Sequence, residues 1–281
     1  MTVKIVTDST SDITKELAQE LGITVVPLTV TFGRESYLDR VEITTDEFYH
    51  RLTSQDIYPT TTQPSPGVFA EAYNKLVKES DEILVIVISG KLSGTYQSAT
   101  NAKSMVKGKC RIEVIDSLKT AMALGLIVIA AAKLAKSGAS LDEVAAAVKE
   151  RIPRSHPIMA FDTLKYLAKG GRIGKAQGLV GALLKVRPVL SMKDGEVAPL
   201  TRLRSLAASM DYLYNFVAGF SNIEELAVEH ATTPDDADKL VERLSAIYPK
   251  ERIYRSTVSP VLGAYMGPNV LSVHVLEGSS K

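Results

Sequence analysis

The stretch Glu82-Ile83-Leu84-Val85-Ile86-Val87-Ile88 restricts the fold of this chain more than any other. Successive side chains of a strand point to opposite faces, so an unbroken aliphatic run needs cover on both. That is the situation of an inner strand in a parallel sheet. The run breaks into Ser89-Gly90-Lys91-Leu92-Ser93-Gly94 and resumes as Thr95-Tyr96-Gln97-Ser98, which reads as a helix. Ser93 stands where an N-cap would, so its hydroxyl and the following backbone N–H groups are expected to face one point. The positive end of the helix dipole suits that point to an anionic head group.

The flanking sequence repeats the pattern. Residues 3–6 form a short apolar strand ending in Thr7-Asp8-Ser9-Thr10-Ser11-Asp12, expected to cap a helix over 13–21 that Gly22 closes. Residues 23–32, rich in Val, Ile and Thr, read as one strand. Thr44 or Thr45 caps a helix through 53. Pro59, Pro64 and Pro66 then forbid a helix over 58–67, leaving a stiff, hydroxyl-rich loop before a helix at 67–78. Residues 111–115 are a strand ending in Asp116-Ser117, followed by helices over 121–136 and 141–152. Alternating strands and helices predict an α/β domain with a parallel sheet over residues 1–155. Its polar loops at 8–11, 89–93 and 116–117 share the carboxyl edge, where open α/β sheets bind ligands.

From Pro153 the pattern changes. Strands are expected at 157–161, 186–192, 196–200, 226–229, 252–254 and 271–275, with helices at 163–168, 205–220 and 235–247. Lys193-Asp194-Gly195 marks a tight hairpin. Residues 156–281 therefore read as an α+β domain with a largely antiparallel sheet, and a ligand is expected between the two domains.

Charge and cysteine content narrow the function classes. Thirty-three Lys and Arg against 32 Asp and Glu give a formal charge of +1, which offers no bulk attraction to nucleic acid. Cys110, the single cysteine, can form neither an internal disulfide nor a cysteine metal site, which fits a reducing cytoplasm. The start of the chain runs directly into a strand without signal-peptide features. The most apolar stretch, 121–132, falls short of the roughly 18–20 residues that span a bilayer. A cytoplasmic protein without stable membrane insertion is expected, with at most transient membrane contact.

Motifs for a nucleotide-hydrolase phosphate loop, a dinucleotide fold and a zinc protease are all missing from the sequence. His50, His156, His230 and His274 are scattered and read as structural. Asp8 lacks a second aspartate two residues on, which leaves it a capping and strand-end role. Ser93 is outside Gly-x-Ser-x-Gly and has no identifiable base. A stand-alone hydrolase or phosphotransferase using Asp8, Ser93 or Asp116 is the alternative. The residues themselves favour an anion site in which Thr61 and Ser93 donate to a carboxylate, with Arg172 brought close by neighbouring glycines. Local turn capping by the hydroxyls and a surface role for Arg172 stand beside that reading.

Five blocks carry a family resemblance: residues 6–10 (VTDST), 61–65 (TTQPS), 89–96 (SGKLSGTY), 169–174 (KGGRIG) and 259–264 (SPVLGA). Their order and spread over nearly the whole chain resemble the DegV family. The resemblance implies two domains enclosing one long-chain fatty acid, with no other cofactor and no metal. It implies that Thr61 and Ser93 hold the carboxylate with Arg172 close by. It further implies the lipid-carrying subunit of a bacterial fatty acid kinase, which presents the carboxylate to a separate ATP-dependent kinase subunit and is not itself an enzyme. Arg202 and Arg204 match a basic patch that docks that kinase. Tyr265 stands where the family often has His, and keeps a hydroxyl donor without becoming cationic near neutral pH. Thr62 replaces the usual Ser beside Thr61. In the small apolar segment 178–184, Leu179, Ala182 and Leu183 are expected to line the tunnel, the plainer reading being core packing.

Magnitudes favour a lipid over a small polar ligand. Burying about 14 methylenes at roughly 0.8 kcal/mol each contributes on the order of 11 kcal/mol. Desolvating the carboxylate costs several kcal/mol, which hydroxyl donors and an arginine offset. The tail then supplies most of the affinity. A regulatory protein whose lipid is only structural is a further alternative, separable by testing whether bound lipid exchanges.

Overall fold

The computed structural model describes residues 2–179 and 186–279. Strand β1 (Lys4–Asp8) leads through α1 (Lys15–Leu21) to β2 (Ile23–Val26), which lies parallel to it. Thr14, rather than the polar cluster before it, caps α1 by accepting from the Leu17 N–H.

The chain then leaves this sheet at Pro27. Strand β3 (Thr29–Phe32) pairs antiparallel with β4 (Glu35–Leu38) and, beyond α2 (Thr45–Ser54), with β5 (Thr60–Thr62). The one strand expected over 23–32 is thus two strands in different sheets, because proline cannot donate to a ladder. Part of the expected loop at 58–67 is also strand, recruited by β3.

Helix α3 (Pro66–Leu76), β6 (Glu82–Val87), α4 (Thr95–Ala102) and β7 (Arg111–Asp116) complete a parallel sheet of order β2-β1-β6-β7. As its composition requires, β6 is an inner strand covered twice. Ile83, Val85 and Val87 pack with Phe69 and Tyr73 of α3, while Leu84, Ile86 and Ile88 pack with α5 (Ala121–Lys136). Helix α6 (Leu141–Arg151) joins α1 and α5 on that face.

The second sheet begins with β8 (Ser155–Ala160) and runs, past α7 (Lys165–Lys169), through β9 (Arg187–Lys193) and β10 (Glu196–Leu203). Helix α8 (Leu206–Ala218), β11 (Ile223–His230), α9 (Pro234–Leu244), β12 (Ile253–Thr257), α10 (Pro260–Met266) and β13 (Leu271–Glu277) follow. Its order is β10-β9-β8-β13-β11-β12, antiparallel throughout except for β11 beside β12. At the β9–β10 turn, Asp194 and Gly195 both have positive φ (55° and 81°), as the tight hairpin demands.

Helix α5 lies between the two sheets, touching Ala227 and Leu276 of the second as well as β6 of the first. Ser155 fastens β8 to it by donating its hydroxyl to the Ala123 carbonyl at 2.9 Å. This explains the most apolar stretch of the sequence: a helix apolar all round needs cover all round. Helices α8 and α9 close the outer face of the second sheet. A separate core, made by β3, α2, α7 and α10 against Met159, Phe161, Leu190 and Met192, joins the two halves at one end.

Candidate ligand crevice

A narrow crevice runs inside this joining core. Its volume is about 60 Å³, well below the ~300–1,000 Å³ of small-molecule sites. The space is therefore a thin bore. Leu28, Ile88 and Leu92 wall it from the side of the parallel sheet; Met159, Phe161, Met192 and Val197 wall it from the other. Leu167 of α7 and Val261, Leu262 and Met266 of α10 complete the apolar lining.

One part of the wall is polar. Thr61, on β5, turns inward while Thr60 and Thr62 are exposed, as the alternation of a strand dictates. The Thr61 hydroxyl is hydrogen-bonded to the hydroxyl of Tyr265. The Arg172 guanidinium lies 5.1 Å from the centre of the Tyr265 ring, and donates to the carbonyls of Gly170 (2.8 Å) and Leu92 (3.3 Å). Its partners among the described residues are these carbonyls, with no carboxylate. Gly170 makes this stack feasible, since a Cβ there would sit 2.4 Å from Cδ1 of Tyr265.

Ser93 faces the same crevice. Its hydroxyl oxygen accepts from the Thr95 N–H at 3.3 Å and pairs with the Thr95 hydroxyl at 2.8 Å. Gly94, not Ser93, is the cap of α4, and makes no side-chain capping bond. The N-cap expectation for Ser93 is corrected accordingly: it closes a tight hydroxyl turn ahead of the helix.

The three polar loops do share the carboxyl edge, where they hold one another. Asp8 accepts from the N–H groups of Thr10 (2.9 Å) and Ile88 (2.8 Å). Burial pushes its carboxyl above the ordinary range, with these bonds pulling the other way. Asp116 accepts from the N–H groups of Gly90 (3.1 Å) and Leu118 (2.9 Å), while Ser89 donates its hydroxyl to the Gly195 carbonyl in the β9–β10 turn (2.7 Å). Both aspartates are thereby committed to loop geometry, and neither lines the crevice.

Thr61, Ser93, Arg172 and Tyr265, distant in sequence, thus meet on one surface. Thr62 does not join them: it lies on the opposite face of β5, so its grouping with the carboxylate ligands is corrected by strand alternation. Leu179 is half-buried and packs on the joining core but is not on the crevice wall. Ala182 and Leu183 lie outside the described residues. Arg202 and Arg204 are exposed on and just beyond β10, an edge strand of the second sheet. None of the histidines reaches the crevice: His156 pairs with the Glu277 carboxylate (3.1 Å), and buried His274 with Glu229 (3.0 Å). Among the described residues no cluster of His, Cys, Asp or Glu is suited to a metal, and no helix is long and apolar enough to cross a membrane.

Sequence reasoning missed Gln63, Thr10, Thr120 and three methionines on the wall. Gln63 carried a usable signal, two residues beyond Thr61 and so on the same side of an extended chain. Its amide lies against Gly94, where a Cβ would come within 2.9 Å of Nε2. Helix α10 was likewise missed, though it carries Tyr265 and Met266. Its start is held by buried Asp12 and half-buried Arg40 from far upstream. Arg40 donates to Asp12 (2.9 Å) and to the Thr257 carbonyl (2.6 Å), and Asp12 accepts from the Ser259 N–H (3.3 Å).

Fold and site together define a three-sheet α/β protein with an apolar crevice that carries hydroxyls and one arginine on part of its wall. The model of the DegV family, described as an uncharacterised protein family, matches residues 2–278. A DegV domain-containing protein of Caldanaerobacter subterraneus subsp. tengcongensis is 38% identical over 275 residues, covering 96% of this chain and 97% of that one. A Thermus thermophilus DegV family structure described for its fatty acid binding superposes with a TM-score of 0.90 at 34% identity, covering 99% of this chain and 100% of that one. DegV of Bacillus subtilis, described as a fatty acid binding protein, superposes with a TM-score of 0.90 at 31% identity and the same coverage. The chain belongs to the DegV family.

Proposed function

We propose that this protein binds one long-chain fatty acid in the crevice. The acyl chain fills the apolar bore, and the carboxylate rests on Thr61 and Ser93 with Arg172 and Tyr265 beside it. The observation that carries the reading is the pairing of a narrow apolar crevice with a polar patch whose one cation has no acid partner among the described residues. Described structures of relatives as fatty acid binders support it. The proposed division is residues 1–155 supplying the hydroxyl loops and 156–281 supplying Arg172 and much of the bore.

The chemistry is assigned to a partner. A separate ATP-dependent kinase subunit would phosphorylate the presented carboxylate, docking on Arg202 and Arg204, and this chain would act as carrier in the cytoplasm, where Cys110 stays reduced. The engaged carboxyls of Asp8 and Asp116 support a carrier over a hydrolase, and so does the absence of a base beside Ser93 among the described residues. Replacing Arg202 and Arg204 by Glu should slow acyl phosphorylation by a competent kinase while leaving fatty acid affinity unchanged. Equal rates would remove the docking assignment.

Thr61→Val and Ser93→Ala each delete one donor to a charged group, worth about 1.5–3 kcal/mol. Calorimetric titration with palmitate should show affinity falling by roughly tenfold or more in each variant, with melting temperature nearly unchanged. Wild-type affinity in both would overturn the head-group assignment.

A further inference from the structure

Two buried acids, distant in sequence, face one another where the two halves of the molecule meet. Asp12 follows β1 of the parallel sheet, and Glu229 belongs to β11 of the six-stranded sheet. Both are wholly buried, and their carboxyls are hydrogen-bonded to each other. Two carboxylates cannot make that bond, since neither carries a donor. The other partners identify the oxygens that meet. Oδ1 of Asp12 takes the Arg40 guanidinium (2.9 Å) and the Ser259 N–H (3.3 Å), while Oε2 of Glu229 takes Nε2 of His274 (3.0 Å). Oδ2 of Asp12 and Oε1 of Glu229 are left without any other partner among the described residues.

Charge leads to the same count. Arg40 is the cation beside this cluster, and Asp39 shares it. His274 stays neutral, because burial lowers it to about 3. Tyr49 stays neutral as well, raised by burial and then by the charge of Asp12. A second ionised carboxyl would therefore be buried without a counter-charge. Burial, and then the Glu229 charge, accordingly push Asp12 well above the ordinary carboxyl range. The pair reaches the crevice only through the helices it seats. Asp12 accepts from the N–H of Ser259, the residue before α10, whose own side chain caps nothing. Helix α10 carries Val261, Leu262, Tyr265 and Met266 of the crevice wall. On the other side, the Met122 N–H in the first turn of α5 faces the Glu229 carboxylate.

We propose that Asp12 and Glu229 are positioning residues for the head-group site, one proton shared between their carboxyls joining the two halves and seating the helix that carries Tyr265. The inference rests on the fatty acid reading given above. When that proton leaves to water at alkaline pH, two carboxylates repel across the seam, α10 loses its seat and lipid affinity falls.

Asp12→Asn and Glu229→Gln each replace the shared proton by an amide N–H that does not ionise. Palmitate affinity is measured by calorimetry as pH rises from neutral into the alkaline range, and expressed as the ratio of variant to wild type. That ratio cancels the titration of the ligand and of Asp39. It should rise from close to unity to roughly tenfold or more. Urea unfolding of the delipidated chains counts the protons. The native pair keeps one that the unfolded chain releases, so each variant's gain in midpoint over wild type should grow with pH. The Asp12→Asn/Glu229→Gln double variant should gain no more than either single, whereas two independent protons would add. A flat affinity ratio, additive gains, or failure of both conservative single variants to fold would overturn the inference. A wild type that binds no palmitate would overturn the carrier reading and the lipid coupling with it. The unfolding cycle needs no lipid, and so separates that failure from loss of the shared proton.

Discussion

Gly170→Ala is expected to weaken fatty acid binding by roughly tenfold or more without unfolding the protein. The backbone at Gly170 is right-handed (φ −78°, ψ −7°), a conformation alanine adopts freely. The added methyl would nevertheless sit 2.4 Å from Cδ1 and 2.7 Å from Cε1 of Tyr265. Carbon atoms pack at about 3.5–4.0 Å, so the ring must retreat by about 1 Å. The ring is half-buried, not locked in the fully buried core. That movement separates its hydroxyl from Thr61 and its face from Arg172, dismantling the polar end of the bore from one position that touches no ligand. Titration with palmitate alongside thermal melting checks this. Full affinity in the variant would show that Tyr265 does not organise the head-group site.

Asp39→Asn is expected to stabilise the protein at pH 8 and to do so progressively less as pH falls toward 5. Asp39 is fully buried, and burial raises its carboxyl from 3.8 to about 7, with neighbouring Arg40 the main opposing influence. Between those values the native chain keeps a proton that the unfolded chain releases. The stabilising contribution is therefore complete below pH 3.8 and is lost as pH rises to about 7. Asparagine imitates the protonated form at every pH, so the gain over wild type should grow by on the order of 2–3 kcal/mol between pH 5 and pH 8. Buried His274 has the opposite sign. Burial lowers it to about 3, and its contribution is lost as pH falls below 6.5. Subtracting wild type from variant at each pH removes that common slope. A difference that stays flat from pH 5 to 8 in urea unfolding would show that Asp39 holds no such proton. Asp39, Arg40 and Asp12 pack where α10 begins, with the Val261 N–H facing Asp39. This titration therefore bears on the base of the helix that carries Tyr265.

The parallel half was legible because its signals are local. Continuous aliphatic strands, polar loops at their ends and the wholly apolar 121–136 helix each announce themselves within a dozen residues, and α5 spans Ala121–Lys136 as expected. What failed was decided at longer range. Pro27 sends the chain into a different sheet, and β5 is a strand only because β3 is beside it. Ser93 and Thr61 were visible as hydroxyls on stiff loops, yet nothing in their spacing shows that Tyr265 completes the group from 204 residues away. Thr62 was misplaced for want of knowing that its segment is extended, since alternation would have turned it outward. The buried Asp12–Arg40 clasp carried no pattern in sequence, because its members come from unrelated loops and meet only once α10 is docked.

Native mass spectrometry of the purified protein reads fatty acid occupancy of the crevice without an assumption about the ligand. A single bound mass matching one long-chain fatty acid per chain is expected, removed on delipidation and restored by added palmitate in wild type but far less in the Thr61→Val/Ser93→Ala double variant. A protein that emerges at its bare chain mass and takes up no fatty acid when one is supplied would contradict it.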